Sequence, residues 1–176
     1  VTGGTLTNTD VTNGGIVIGK GSASVASSGE LLVTGGTTTT EKITFGLNGG
    51  LAGSFGNLSI NGASGSLYVG SGGIVKAATN AFTDSINLAN GTLGAKADWS
   101  TSMNVNFNGS GMILKAADAS DVTKNITLNG VLTGTGSFTK SGVGTLLIAN
   151  SANTLSGIAT ISAGILRITD ANAMQN

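Results

Sequence analysis

Apolar residues alternate with small polar ones along nearly the whole chain, and each short run gives way to Gly or Asn-Gly. Leu31-Leu32-Val33, Ile43-Thr44-Phe45, Leu58-Ser59-Ile60, Leu67-Tyr68-Val69 and Ile86-Asn87-Leu88 are examples. Val105-Asn106-Phe107, Ile126-Thr127-Leu128, Leu146-Leu147-Ile148 and Ile165-Leu166-Arg167-Ile168 continue the pattern. A period of two is that of a strand with one buried face, and no window carries the 3.6-residue apolar stripe of a helix. The alternation predicts that Ile86, Leu88, Ile126, Leu128, Leu146 and Ile148 point inward. The alanine-rich segments from Lys76 to Ala81 and from Lys115 to Ala119 read as strand ends running into loops.

The runs resemble one another. Leu58-Ser59-Ile60-Asn61-Gly62 returns as Val105-Asn106-Phe107-Asn108-Gly109, as Ile126-Thr127-Leu128-Asn129-Gly130 and, with one residue inserted, from Ile86 to Gly91. Gly73-Ile74-Val75-Lys76 is echoed by Gly111-Met112-Ile113-Leu114-Lys115 and Gly164-Ile165-Leu166-Arg167. Val1-Thr2-Gly3-Gly4-Thr5 returns as Val33-Thr34-Gly35-Gly36-Thr37. Spacings of about 20 to 30 residues are those of one coil of a solenoid. Asn-Gly is also the strongest short hairpin signal, so an antiparallel sandwich is the competing architecture. Repetition of like phrases at short intervals favours parallel stacking. The prediction is an all-β, right-handed parallel β-helix of about seven or eight coils, a single domain over residues 1–176.

Composition sharpens this. The 176 residues include 30 glycines and no proline, cysteine or histidine, with eight basic and eight acidic side chains. Without Cys or His there is no thiolate nucleophile, imidazole base or ordinary zinc site. Zero net charge without basic clusters leaves no electrostatic footprint for nucleic acid, and no apolar run is long enough to insert in a bilayer as a helix.

One segment has a more specific likeness. Gly136-Ser137-Phe138-Thr139-Lys140-Ser141-Gly142-Val143-Gly144-Thr145-Leu146-Leu147-Ile148 leads to Asn153-Thr154-Leu155-Ser156-Gly157 and then to Thr160-Ile161-Ser162-Ala163-Gly164-Ile165-Leu166. In order and spacing, residues 136–169 resemble the autotransporter-associated β-strand repeat. That resemblance implies a secreted, right-handed β-helical surface protein of Gram-negative-type bacteria, with a structural repeat and no catalytic residues to carry over.

The candidate chemistry is sparse. Gly14-Gly15-Ile16-Val17-Ile18-Gly19-Lys20 nearly spells a phosphate loop, but Gly21 stands where Ser or Thr should bind the metal. Asp84, Asp98, Asp118 and Asp121 lack any calcium-loop spacing and read as solvated loops. Lys76, Lys115 and Arg167 share a repeat position and are expected to form a ladder along one face. Trp99 and Tyr68 could stack on a sugar, though an isolated aromatic more often plugs a corner. No cofactor, metal or catalytic residue is expected.

The expected role is an extracellular structural solenoid, a subunit of a head-to-tail filament or a rigid surface stalk. An adhesin fragment binding host or matrix glycans is the alternative, and a polysaccharide-active β-helix enzyme a remote one. Strand patterns already run at Val1–Leu6 and up to Ile168, so self-association is expected to join Leu6 and Ile16 to Leu166 and Ile168 of the next copy.

Overall fold

The computed structural model describes every residue except 11, 13, 21–23, 49–51, 78–81, 171, 172, 175 and 176. The described residues form strands and no α-helix: β1 (Thr5–Asn8), β2 (Ile16–Ile18), β3 (Ser28–Val33), β4 (Thr37–Phe45), β5 (Phe55–Lys76), β6 (Thr83–Ala95) and β7 (Trp99–Thr101). There follow β8 (Val105–Lys115), β9 (Ile126–Leu128), β10 (Leu132–Gly134), β11 (Phe138–Ser141), β12 (Thr145–Ile148), β13 (Ala159–Ile161) and β14 (Ile165–Ile168). One sheet runs β1-β4-β5-β6-β8-β11-β13, with β2 beside β4, β3 beside β5 and β10 beside β8; a second runs β14-β12-β9-β7. All pairings between named strands are parallel, and an isolated bridge between Ala117 and Thr123 is antiparallel.

The antiparallel sandwich is therefore excluded. Asn61-Gly62, Asn90-Gly91 and Asn108-Gly109 do not reverse the chain; each lies inside a strand, where the ladder bends or shifts register and continues. Bare backbone is needed at Gly62, because a Cβ there would run into the carbonyl of Thr34, just past the end of β3. This is why β5 extends over 22 residues where the alternation suggests several short strands.

Register turns the alternation into rows. Leu31, Leu58 and Ile86 stack in one row, and Val33, Ile60, Leu88 and Phe107 in the next. A third row crosses the larger sheet as Leu6, Thr38, Leu67, Leu93, Leu114, Lys140 and Ile161. In the second sheet Trp99, Ile126, Leu146 and Leu166 form one row; Thr101, Leu128, Ile148 and Ile168 form another. The six residues expected to face inward are all buried, and the rows merge into one core in which the Phe107 and Phe138 rings meet at 5.4 Å.

The outward positions form rows too. Asn57 donates to Glu30 at 2.7 Å, Asn87 to Asn57 at 2.9 Å, Asn106 to Asn87 at 3.1 Å and the Thr133 hydroxyl to Asn106 at 3.4 Å. Each asparagine thus accepts from the next strand and donates to the previous one. At the corners, side-chain oxygens take over from the backbone ladder. Asp98 accepts the backbone N–H and the side-chain amide of Asn125, whose own Oδ1 accepts the N–H of Thr145.

Like phrases do not all share a sheet: Ile86-Asn87-Leu88 lies in the larger one and Ile126-Thr127-Leu128 in the four-stranded one, because an inward-outward-inward triplet fits any strand with one buried face. The expected basic ladder is absent. Lys76 lies beside Phe45 and Lys115 beside Gly94 and Ser141 in the larger sheet, whereas Arg167 lies beside Leu147 in the smaller. By contrast, the repeat at Val1 and Val33 is in register through Thr5 and Thr37.

Candidate functional site

Three settings of charged side chains stand out among the described residues. The first is an open groove of about 520 Å³ where β5 and β7 end and β6 begins, lined by Lys76, Asp84, Ser100, Ser102 and Asn104 together with Ile74 and Met103. Lys76 is ion-paired with Asp84 and donates to the Phe82 carbonyl at 2.9 Å. The second surrounds Tyr68. The Lys115 ammonium lies 5.9 Å from the ring centre and 2.8 Å from an Asp121 oxygen, while Lys96 pairs with Glu41 nearby. Burial pulls the Lys115 pKa down, but the Asp121 hydrogen bond and the charges of Tyr68 and Asp121 outweigh it and raise the value above 10.5.

The third is Lys140. Its side chain is buried in the core row between Leu114 and Ile161, and desolvation holds its ammonium below the usual lysine value.

The aspartates are dispersed: Asp84 pairs with Lys76, Asp98 with Asn125, Asp121 with Lys115, and Asp118 accepts the N–H groups of Ser120 and Val122 in its own turn. The hydrogen bonds from Asn125 hold the Asp98 carboxyl below the usual carboxylate range. No group of three His, Cys, Asp or Glu side chains among the described residues is placed to hold a metal. Ile16–Ile18, inside the phosphate-loop look-alike, is a strand paired with β4; Gly21 lies outside the described residues.

No family model, curated protein or solved structure matches the chain.

The residues expected to mediate self-association occupy the outermost strands. Leu6 is exposed on β1 and Ile16 is half-buried on β2, while Leu166 is half-buried and Ile168 exposed on β14. The structure brings each pair to one margin of the strand order and keeps the two pairs apart. Trp99 is buried and donates its indole N–H to the Gly94 carbonyl at 3.3 Å, so it closes a core edge and offers no stacking platform. Tyr68 is likewise buried beneath Lys115. Alternation does not reveal the Lys76–Asp84 groove, because its walls come from three strands.

Lys115 is not the freely exposed charge that its repeat position suggests, since its side chain is only 16% accessible. A raised pKa means that its contribution is present below about pH 10.5 and is lost as pH climbs through the folded-state value. Lys115→Met is expected to cost about 1 kcal/mol at pH 8, discounted for the exposure of Asp121. Urea titrations of both proteins should show that difference shrinking above about pH 10.5.

Proposed function

We propose that the chain is a right-handed parallel β-solenoid of about seven coils that serves as an extracellular structural element at a bacterial surface. The observation that carries this reading is the chain of side-chain hydrogen bonds from Glu30 through Asn57, Asn87 and Asn106 to Thr133. Such a chain requires successive coils in strict register, as in a rod. The handedness follows from the rule that parallel crossovers are right-handed in about 98% of cases. The likeness of residues 136–169 to the autotransporter-associated repeat supports export and a role as stalk or filament. That role is mechanical, not catalytic.

End-to-end stacking of copies is the form of this function that we favour. Exposed Leu6 on β1 and exposed Ile161 on β13 terminate the same inward row, so stacking would bury them and continue it. Exposed Ile168 on β14 would be covered in the same contact. Electron microscopy with sedimentation at micromolar concentration tests both levels of the proposal. Expected are rods about 35 Å long per copy at the strand spacing, growing lengthwise with concentration and shortened by Ile168→Lys. Single rods at every concentration would remove the filament, and round particles would remove the solenoid.

A second reading, adhesion to a polysaccharide, is favoured by the groove at Lys76 and Asp84, whose ion pair, hydroxyls and amide line a floor suited to a sugar ring. Retention on a matrix of neutral polysaccharide, abolished by Asp84→Lys, is the result that reading requires.

A further inference from the structure

Lys140 is the one charged residue among the described residues that is buried. Its three N–H donors are matched by three carbonyl oxygens, those of Ser141 at 2.9 Å, Gly142 at 2.7 Å and Ala163 at 2.9 Å. Ser141 ends β11, Gly142 opens the turn between β11 and β12, and Ala163 lies in the turn between β13 and β14. Both turns contain a glycine with positive φ, Gly142 at 74° and Gly164 at 69°. The backbone completes the connection: the Ser162 N–H and hydroxyl both donate to the Lys140 carbonyl, at 2.9 and 3.0 Å.

From this geometry we infer that the Lys140 ammonium is an internal cation that latches β13 and β14 onto β11 and β12 by binding carbonyls of both turns. Filling the row does not require it, since Leu114 occupies the equivalent position one strand earlier without a charge. A buried ammonium without a carboxylate is a poor source of overall stability, and such groups are retained where they select one arrangement. The strands it holds need that selection. Ile158, Ile161, Ile165 and Ile168 are all exposed, so apolar burial secures this part of the chain weakly and polar ties decide its register. An uncharged substitute would leave the Ser141, Gly142 and Ala163 carbonyls without this donor. The inference concerns the order of these two strands in a single copy, before any end-to-end contact covers Ile161 and Ile168, and it does not depend on whether the chain is a stalk or an adhesin.

Amide hydrogen exchange on two variants tests it. Lys140→Met keeps the row filled and removes the charge. It should speed exchange at Ser162–Ile168 by about tenfold, as for loss of a charged hydrogen bond, while Ile86–Leu88 stays unchanged. Lys140→Ala in n-propylammonium, which restores the missing atoms and charge, should recover protection; n-propanol at the same concentration should not. Unchanged exchange in Lys140→Met, or equal rescue by propanol, would overturn the latch and leave Lys140 as filler. Should Lys140→Ala fail to fold in any solution, Lys140→Met decides the matter alone.

Discussion

Leu128→Asp is expected to yield no folded protein. Leu128 is 1% accessible and sits between Thr101 and Ile148 in a row of the four-stranded sheet. Removing a buried leucine costs about 2–5 kcal/mol in packing. The carboxylate adds a desolvation penalty of several kcal/mol, because both row neighbours are buried and Ile148 is apolar. Together these approach the whole stability of an ordinary domain, about 5–15 kcal/mol. Circular dichroism of the expressed variant is the measurement. A soluble protein with the melting temperature of the parent would show that this face does not point into the core.

Gly134→Val should be nearly as damaging, for a backbone reason. Gly134 has φ 100°, which L side chains rarely adopt, and it pairs with Phe107. A Cβ there would collide with the Phe107 carbonyl, and the neighbouring Thr133 ends the outer hydrogen-bonded row. Strain and collision together should cost about 3–5 kcal/mol. Gly4→Ala provides the comparison, because Gly4 also has positive φ but nothing lies within 4 Å of its missing Cβ. Its loss should be only about 1–2 kcal/mol, the strain alone. Urea midpoints separate the two costs, and equal losses would refute the steric account.

The inward face was legible because alternation is a direct consequence of the pleat: Ile86, Leu88, Leu146 and Ile148 announce their burial in sequence. Which sheet a strand joins was not legible. Ile86-Asn87-Leu88 and Ile126-Thr127-Leu128 carry the same pattern, and only the corners between them decide their partners. Strand ends were hidden for a related reason, since Asn-Gly bends a parallel ladder as readily as it closes a hairpin. Lys140 is the instructive case. Alternation puts it on the same side as Phe138, which is buried, so the signal for an inward lysine was present. Its charge argued for the opposite side, and the carbonyls that make burial tolerable come from turns whose shape no local pattern encodes. The setting of Lys115 was hidden likewise, because Asp121 reaches it from a turn that follows the strand.

The rows also determine where this chain tolerates a change of length. Thr5, Thr37, Ser66 and Thr92 occupy successive positions of one row although the segments between them differ in length. A residue gained inside Ile126–Leu128 would turn every following side chain of that strand to the opposite face. One gained at a corner shifts no row, provided that the side-chain acceptors there still reach the next strand. Length drift in descendants of this sequence should therefore collect at corners such as the bulge between Asn61 and Ser66, while the triplets between corners keep their length. Alignment of such descendants by residue count would fail where alignment by row succeeds.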